Sequence, residues 1–126
     1  MKEQTSRWVL KAEKDLKTAE ILLKSKENVS ESVCFHSQQC VEKMLKAFLV
    51  EKDAAFRKTH DIGELMMLCR KIDESFSEID MENITGMTFF ATEMRYPDAD
   101  AEPSFEIASE SLKAAKDVLE FVKKRI

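Results

Sequence analysis

The sequence has few of the residues on which β-rich folds depend. Among its 126 residues are two glycines, two prolines, one tryptophan and one tyrosine, whereas sandwiches and barrels need many turn residues and β-forming side chains. An all-β fold is therefore excluded. Hydrophobic residues make up 44% of the chain, which is enough apolar material for a core and argues against a disordered chain. The length predicts a single domain over residues 1–126.

Long hydrophobic runs are also missing. The longest stretches without a charged residue are Ser32 to Val41 and Asn83 to Thr92, and both are much shorter than the roughly 18 apolar residues of a membrane-spanning helix. The segment from Met1 to Lys17 is interrupted by charges and has no apolar stretch typical of a secretory signal. We therefore expect a cytoplasmic protein with no membrane contact.

Positive charge is scarce in one part of the chain. The formal charge of −4 divides into +3 for residues 1–72, −10 for residues 73–112 and +3 for residues 113–126. Arg95 is the single Lys or Arg of the acidic middle segment. Because affinity for nucleic acid depends on clustered Lys and Arg, a uniformly basic binding surface is excluded. A local basic cleft is still compatible with the sequence.

Apolar residues recur at helical spacing in five segments, which predicts an all-α fold. We expect an antiparallel up-down helical bundle of four main helices and one short helix. The first helix is predicted over about 5–27, with Thr5 or Ser6 as its cap. The second is predicted from Ser30 or Ser32 to about Glu51, and because apolar residues occupy more than one of its sides, it is expected to lie centrally.

Three further helix starts are indicated by capping residues. Asp61 followed by Glu64 has the spacing of a capping box and opens the short third helix, and Ser75 followed by Glu78 repeats it. The helix predicted from Ser75 ends near Met94, ahead of a loop that contains both prolines. Ser104 is predicted to cap the last helix.

The second predicted helix carries an unusual polar row. At about 100° per residue, His36, Gln39, Lys43 and Ala47 fall within one narrow sector, next to Cys40. One interpretation is that these groups form hydrogen bonds to neighbouring helices or cover a dimer interface. The other is that His36, Gln39 and Lys43 contact a ligand.

Two other groups of residues are candidates for anion binding. Arg57, Lys58 and His60 directly precede a predicted helix start, where free amide hydrogens favour a phosphate; alternatively, His60 and Asp61 only cap that helix. In the loop after Met94, the planar fork of Arg95 could hold a phosphate or carboxylate, and Tyr96 could stack on a base. An internal salt bridge of Arg95 is the alternative.

Metal and cofactor sites are not indicated. Cys34, Cys40 and Cys69 are odd in number and scattered, which predicts reduced thiols instead of disulfides. His36 and Cys40 are four residues apart, but no C-x-x-C or H-E-x-x-H pattern completes a zinc site. A glycine-rich phosphate loop and a nucleophile elbow are likewise missing. We expect no bound metal and no cofactor.

Four motifs in order resemble the HEPN family, the higher eukaryote and prokaryote nucleotide-binding domain. They are Trp8 with KAEKDL at 11–16, FHSQQ through EKMLK over 35–46, KTHDI at 58–62 and RYPD at 95–98. The resemblance implies a helical bundle, a homodimer, and a gene often next to that of a minimal nucleotidyltransferase in a two-component toxin system. Active members look like metal-independent ribonucleases with an Arg, four to six residues and a His.

The resemblance also shows where this chain departs from the family. Arg95 matches the position of the family's Arg, but residues 96–105 contain no His. RNA cleavage without metal needs a general acid or base, commonly His, so a noncatalytic binding module is the leading interpretation. It would bind a nucleotide or RNA phosphate and a nucleotidyltransferase partner. The alternatives are a ribonuclease that uses Arg95 with His60 or His36, and a purely structural dimer.

Overall fold

The computed structural model describes residues 1–80, 84 and 102–126. In this part of the chain, four α-helices and one 3-10 helix form a helical bundle without strands, as the apolar periodicity predicted. The helices are α1 (Glu3–Leu23), α2 (Ser30–Glu51), α3 (Ile62–Ile72) and α4 (Phe105–Lys123), and the 3-10 helix spans Glu74–Glu78. None of these helices is both long and apolar enough to cross a membrane.

Helix α2 is the central element, as its two apolar sides predicted. It packs against α1, α3 and α4, and its buried side chains occupy most of its circumference. Helices α1 and α2 are antiparallel, because Lys2 contacts Glu51 at one end of the pair and Asp15 contacts His36 nearer the other. Helix α2 ends where Asp53 adopts a left-handed backbone with φ of 56°, a conformation that stops a right-handed helix.

The core is divided into a large and a small cluster. The large cluster surrounds α2 and includes Phe48, whose ring centre lies 4.6 Å from that of Phe76. Phe76 in turn contacts Phe121 of α4 at 5.1 Å. The small cluster consists of Ala19, Val33, Cys34 and Ala108. It joins the end of α1 to the starts of α2 and α4.

Helix ends confirm some of the predicted caps and correct others. The side chains of Asp61 and Ser104 accept hydrogen bonds from the backbone N–H groups of Glu64 and Ile107, as predicted. Helix α1 starts at Glu3 instead of Thr5 or Ser6, and α2 follows Val29 without a side-chain cap.

The helix start predicted at Ser75 is wrong. Asp73 accepts hydrogen bonds from the N–H and the hydroxyl of Ser75 and thereby opens a 3-10 helix, and the chain is extended at Ile79. Ile84 is helical and buried. The rest of the segment predicted to reach Met94 lies outside the described residues.

Candidate functional site

The polar row of α2 is divided between two carboxylates. His36 and Lys43 both contact Asp15 of α1, and His36 Nδ1 lies 2.9 Å from Asp15 Oδ1. We call these three residues the Asp15 cluster. Its side chains are mostly covered, with 12% of Asp15 and 29% of His36 exposed. The cluster joins α1 to α2, which is the first of the two interpretations of the polar row.

A second carboxylate, Glu42, is hydrogen-bonded to three side chains. Gln38 Nε2 donates to Oε1 at 3.1 Å, His60 Nδ1 lies 2.9 Å from the same oxygen, and Lys46 Nζ donates to Oε2 at 2.9 Å. We call Gln38, Glu42, Lys46 and His60 the Glu42 network. Gln39 joins it by donating to the side-chain oxygen of Gln38 at 2.7 Å.

The Glu42 network is buried except at His60. The Glu42 and Lys46 side chains are 3% and 8% exposed, whereas the His60 side chain is 66% exposed. Because a carboxylate can only accept, the proton on Nδ1 of His60 points at Glu42, and Nε2 is left as the outward ring nitrogen, without a hydrogen-bond partner among the described residues. A buried carboxylate therefore fixes the ring of an exposed imidazole, which is how proteins orient a histidine for binding or proton transfer.

The basic turn before α3 is partly neutralised by its own helix. Arg57 Nε lies 2.9 and 2.8 Å from the two carboxylate oxygens of Glu64, and this contact raises the pKa of the Arg57 guanidinium. Asp61 caps α3, but His60 does not, because it is bonded to Glu42. Lys58 is exposed. His60 and Lys58 are thus accessible to an anion from solvent, whereas an anion at Arg57 would have to compete with Glu64.

The predicted candidates thus do not all meet in one contact network. Gln39 and His60 belong to the Glu42 network, while His36 and Lys43 belong to the Asp15 cluster. Arg95 and Tyr96 lie outside the described residues.

Sequence reasoning missed the two carboxylates that organise the other candidates. Gln38, Glu42 and Lys46 follow each other at intervals of four residues, a signal that could have found this part of the network. Asp15 lies in the KAEKDL motif, but spacing does not show its role, because its partners are 21 and 28 residues away.

The cysteines are buried thiols. Burial raises the pKa of Cys40 and of Cys69 to about 12 and also raises the pKa of Cys34. A thiol in this environment is neutral at physiological pH and a poor nucleophile or metal ligand. Within the described ranges, no group of three or more His, Cys, Asp or Glu side chains could hold a metal ion.

Known proteins share both the sequence and the fold of this chain. A family model described as the HEPN domain matches residues 5–125. The chain belongs to the HEPN family. This HEPN domain is 33% identical, over 133 aligned residues, to the Methanocaldococcus jannaschii protein named "Putative toxin MJ1304", with 92% of this chain and 84% of that protein covered.

Two solved structures resemble this HEPN domain over nearly its whole length. ST0689, an archaeal HEPN homologue, is 28% identical with a TM-score of 0.76, and the match covers 99% of this chain and 98% of that one. TT1696 from Thermus thermophilus is 23% identical with a TM-score of 0.78, covering 99% and 100%. At its level of identity, the second likeness shows the fold alone.

Proposed function

We propose that this HEPN domain is a homodimeric binding module for the phosphate of a nucleotide or RNA. The observation that carries the proposal is the pairing of exposed His60 with buried Glu42. With Nδ1 held by the carboxylate, a protonated imidazole offers Nε2 as a second donor, and phosphate oxygens accept such charge-assisted hydrogen bonds. Lys58, two residues earlier and exposed, adds a cation at the same turn.

The proposal includes a place in a toxin–antitoxin pair with a minimal nucleotidyltransferase. It is supported by membership of the HEPN family and by the similarity to an archaeal relative whose name contains the word toxin. Expression of the chain alone should slow growth, and co-expression of a nucleotidyltransferase from a neighbouring reading frame should restore it. Normal growth under both conditions would contradict this part of the proposal.

Phosphate binding is tested with a fluorescent oligoribonucleotide and anisotropy in EDTA at two salt concentrations. We expect weak, salt-dependent binding by the parent chain. His60→Ala and Arg95→Ala should weaken it more than Lys124→Ala, which removes an exposed cation of the C-terminal cluster. Equal loss for all three variants would indicate a diffuse charge effect and contradict a specific site.

A metal-independent ribonuclease is the second candidate function. It is favoured by one specific observation: both imidazoles are held by carboxylates, His36 by Asp15 and His60 by Glu42. That arrangement suits an imidazole for general acid–base catalysis of RNA cleavage. Cleavage by the parent chain in EDTA that disappears in His60→Ala or His36→Ala, with the fold retained, would establish this function over the binding module.

A further inference from the structure

One face of α1 combines an aromatic ring with two cations. It is separate from the polar row of α2. An open depression of about 440 Å³ is lined by four residues at helical spacing, Gln4, Arg7, Trp8 and Lys11. We call these four residues the Trp8 face. The volume lies within the range of small-molecule pockets. Trp8 is the single tryptophan of the chain.

Core packing and a cation–π contact hold the Trp8 ring in place. Trp8 is half-buried and packs against the large core cluster. Lys46 Nζ lies 5.5 Å from its ring centre, within the range of a cation–π contact. Because the same ammonium is bonded to Glu42, and Glu42 to His60, only two side chains separate the Trp8 face from the exposed imidazole. The ring therefore packs on the core and on Lys46, and the Glu42 network connects it to the proposed phosphate contact at His60.

The charges of the Trp8 face favour an anion. Arg7 is bonded to Glu3 at 2.8 Å, but both side chains are more than 70% exposed, and such surface pairs are weak enough to be exchanged for a ligand. Lys11 is exposed and has no partner among the described residues. Gln4 lies in the first turn of α1, where the helix dipole adds positive potential, and Glu3 of the same turn is the carboxylate that an anion would replace at Arg7.

We propose that the Trp8 face binds a nucleobase that carries a phosphate, with the base stacked on Trp8 and the phosphate on Arg7 and Lys11. An aromatic platform beside cations is the arrangement that binds single-stranded nucleic acid without reading its sequence. The inference rests on the proposed function, because it adds a base-stacking subsite that the Glu42 network connects to the phosphate contact at His60. A free nucleotide and an RNA strand share this chemistry.

The decisive measurement compares ligands with and without bases. Trp8 fluorescence and anisotropy are followed on the parent chain with oligoadenylate, with an abasic ribose-phosphate oligomer of the same length, and with AMP. We expect oligoadenylate to quench Trp8 and to bind roughly 5- to 150-fold more tightly than the abasic oligomer, the effect of stacking one base. AMP that quenches Trp8 would identify a free nucleotide as ligand, and AMP without effect would identify RNA.

Variants of Trp8 distinguish base stacking from a non-specific attraction between charges. Trp8→Leu should remove the preference for oligoadenylate over the abasic oligomer, while Trp8→Phe should keep most of it. The matched control is Phe105→Leu, because Phe105 is an aromatic residue that is 62% exposed on α4. Thermal melting checks that each variant is folded. The comparison of oligomers on the parent chain needs no variant, so it decides the question even if Trp8→Leu does not fold.

The outcomes distinguish this inference from the proposed function. Equal binding of both oligomers without quenching, combined with a loss in His60→Ala, would overturn the Trp8 subsite and leave the phosphate site standing. Quenching with unchanged affinity in His60→Ala would support the Trp8 subsite and overturn the role of His60. If neither oligomer binds, both are overturned.

Discussion

At the scale of single residues, Glu42 and Lys46 form the most buried ion pair in the described part of the chain. Removing two charges from water costs free energy, and their attraction offsets this cost only when the geometry is good and the remaining polar atoms are bonded. Glu42 meets this condition with donors from Gln38, Lys46 and His60. The pair is therefore tolerated because the network around the carboxylate is complete.

Replacing Lys46 by Met should destabilise the protein strongly. The variant leaves the Glu42 charge buried without its main partner, and breaking such a pair costs about 3–5 kcal/mol in the free energy of unfolding. The double variant Glu42→Gln with Lys46→Met removes both charges and should recover much of this loss. Urea unfolding of the parent, both single variants and the double variant completes the cycle. Additive losses would show that the two charges are not coupled.

At the scale of helices, the sequence predicted two caps correctly, in which the capping side chain and the N–H that donates to it lie within one turn. Asp61 and Ser104 cap their helices as predicted, because a short polar side chain three residues before a free N–H needs no information from the rest of the fold. Ser75 has the same spacing to Glu78, but its hydroxyl and N–H both donate hydrogen bonds to Asp73 instead. Arg125 then donates to Ser75 at 2.9 Å, a contact 50 residues away that spacing cannot show.

The cap at Ser104 can be tested against a serine that was expected to cap and does not. Ser104→Ala removes the acceptor for the N–H of Ile107 and should lower the free energy of unfolding by about 1 kcal/mol. Ser32→Ala changes an exposed serine of α2, which has no side-chain cap, and should have an effect within about 0.5 kcal/mol. Thermal or urea unfolding measures both. A larger loss in Ser32→Ala would mean that α2 depends on that hydroxyl after all.

We expect the free energy of unfolding to fall in acid as Asp73, which opens the 3-10 helix, becomes protonated. The hydroxyl of Ser75, then its N–H, lower the pKa of Asp73 in the folded chain. A lowered native pKa contributes stability that is present above the unfolded pKa of about 3.9 and is lost as pH falls through the native value. Asp73→Asn should therefore flatten the fall in urea midpoint below about pH 4. Ser75→Ala should weaken the same dependence, and an unchanged acid profile in both variants would contradict the assignment.

At the scale of the whole molecule, periodicity predicted the bundle and the central place of α2 but not which helices share polar contacts. The candidates His36, Gln39 and Lys43 were found because they lie on one helix, where spacing fixes their direction. Asp15 contributes from α1, and only the packing of α1 on α2 brings it to His36 and Lys43. The sequence therefore predicted the side chains that α2 contributes to these contacts, but not their partner on α1.

We expect the protein to be a homodimer. The bundle buries Phe48, Phe76 and Met66 within one chain, yet Met67 and Ile72 of α3 remain 58% and 44% exposed, and a contiguous patch of exposed apolar side chains is typical of an association surface. Light scattering at micromolar concentration should give twice the chain mass of 14.5 kDa. A mass near 14.5 kDa at every concentration would contradict the expectation.

The division of the core into two clusters makes the three thiols internal reporters of opening. A buried, neutral thiol reacts with iodoacetamide only while a local fluctuation exposes it, so its alkylation rate measures the free energy of that fluctuation. Cys34 belongs to the small cluster at the start of α4, whereas Cys40 and Cys69 belong to the large one. Mass spectrometry should show Cys34 alkylated first and the other two together, which would divide the bundle into an early-opening end and a late-opening centre.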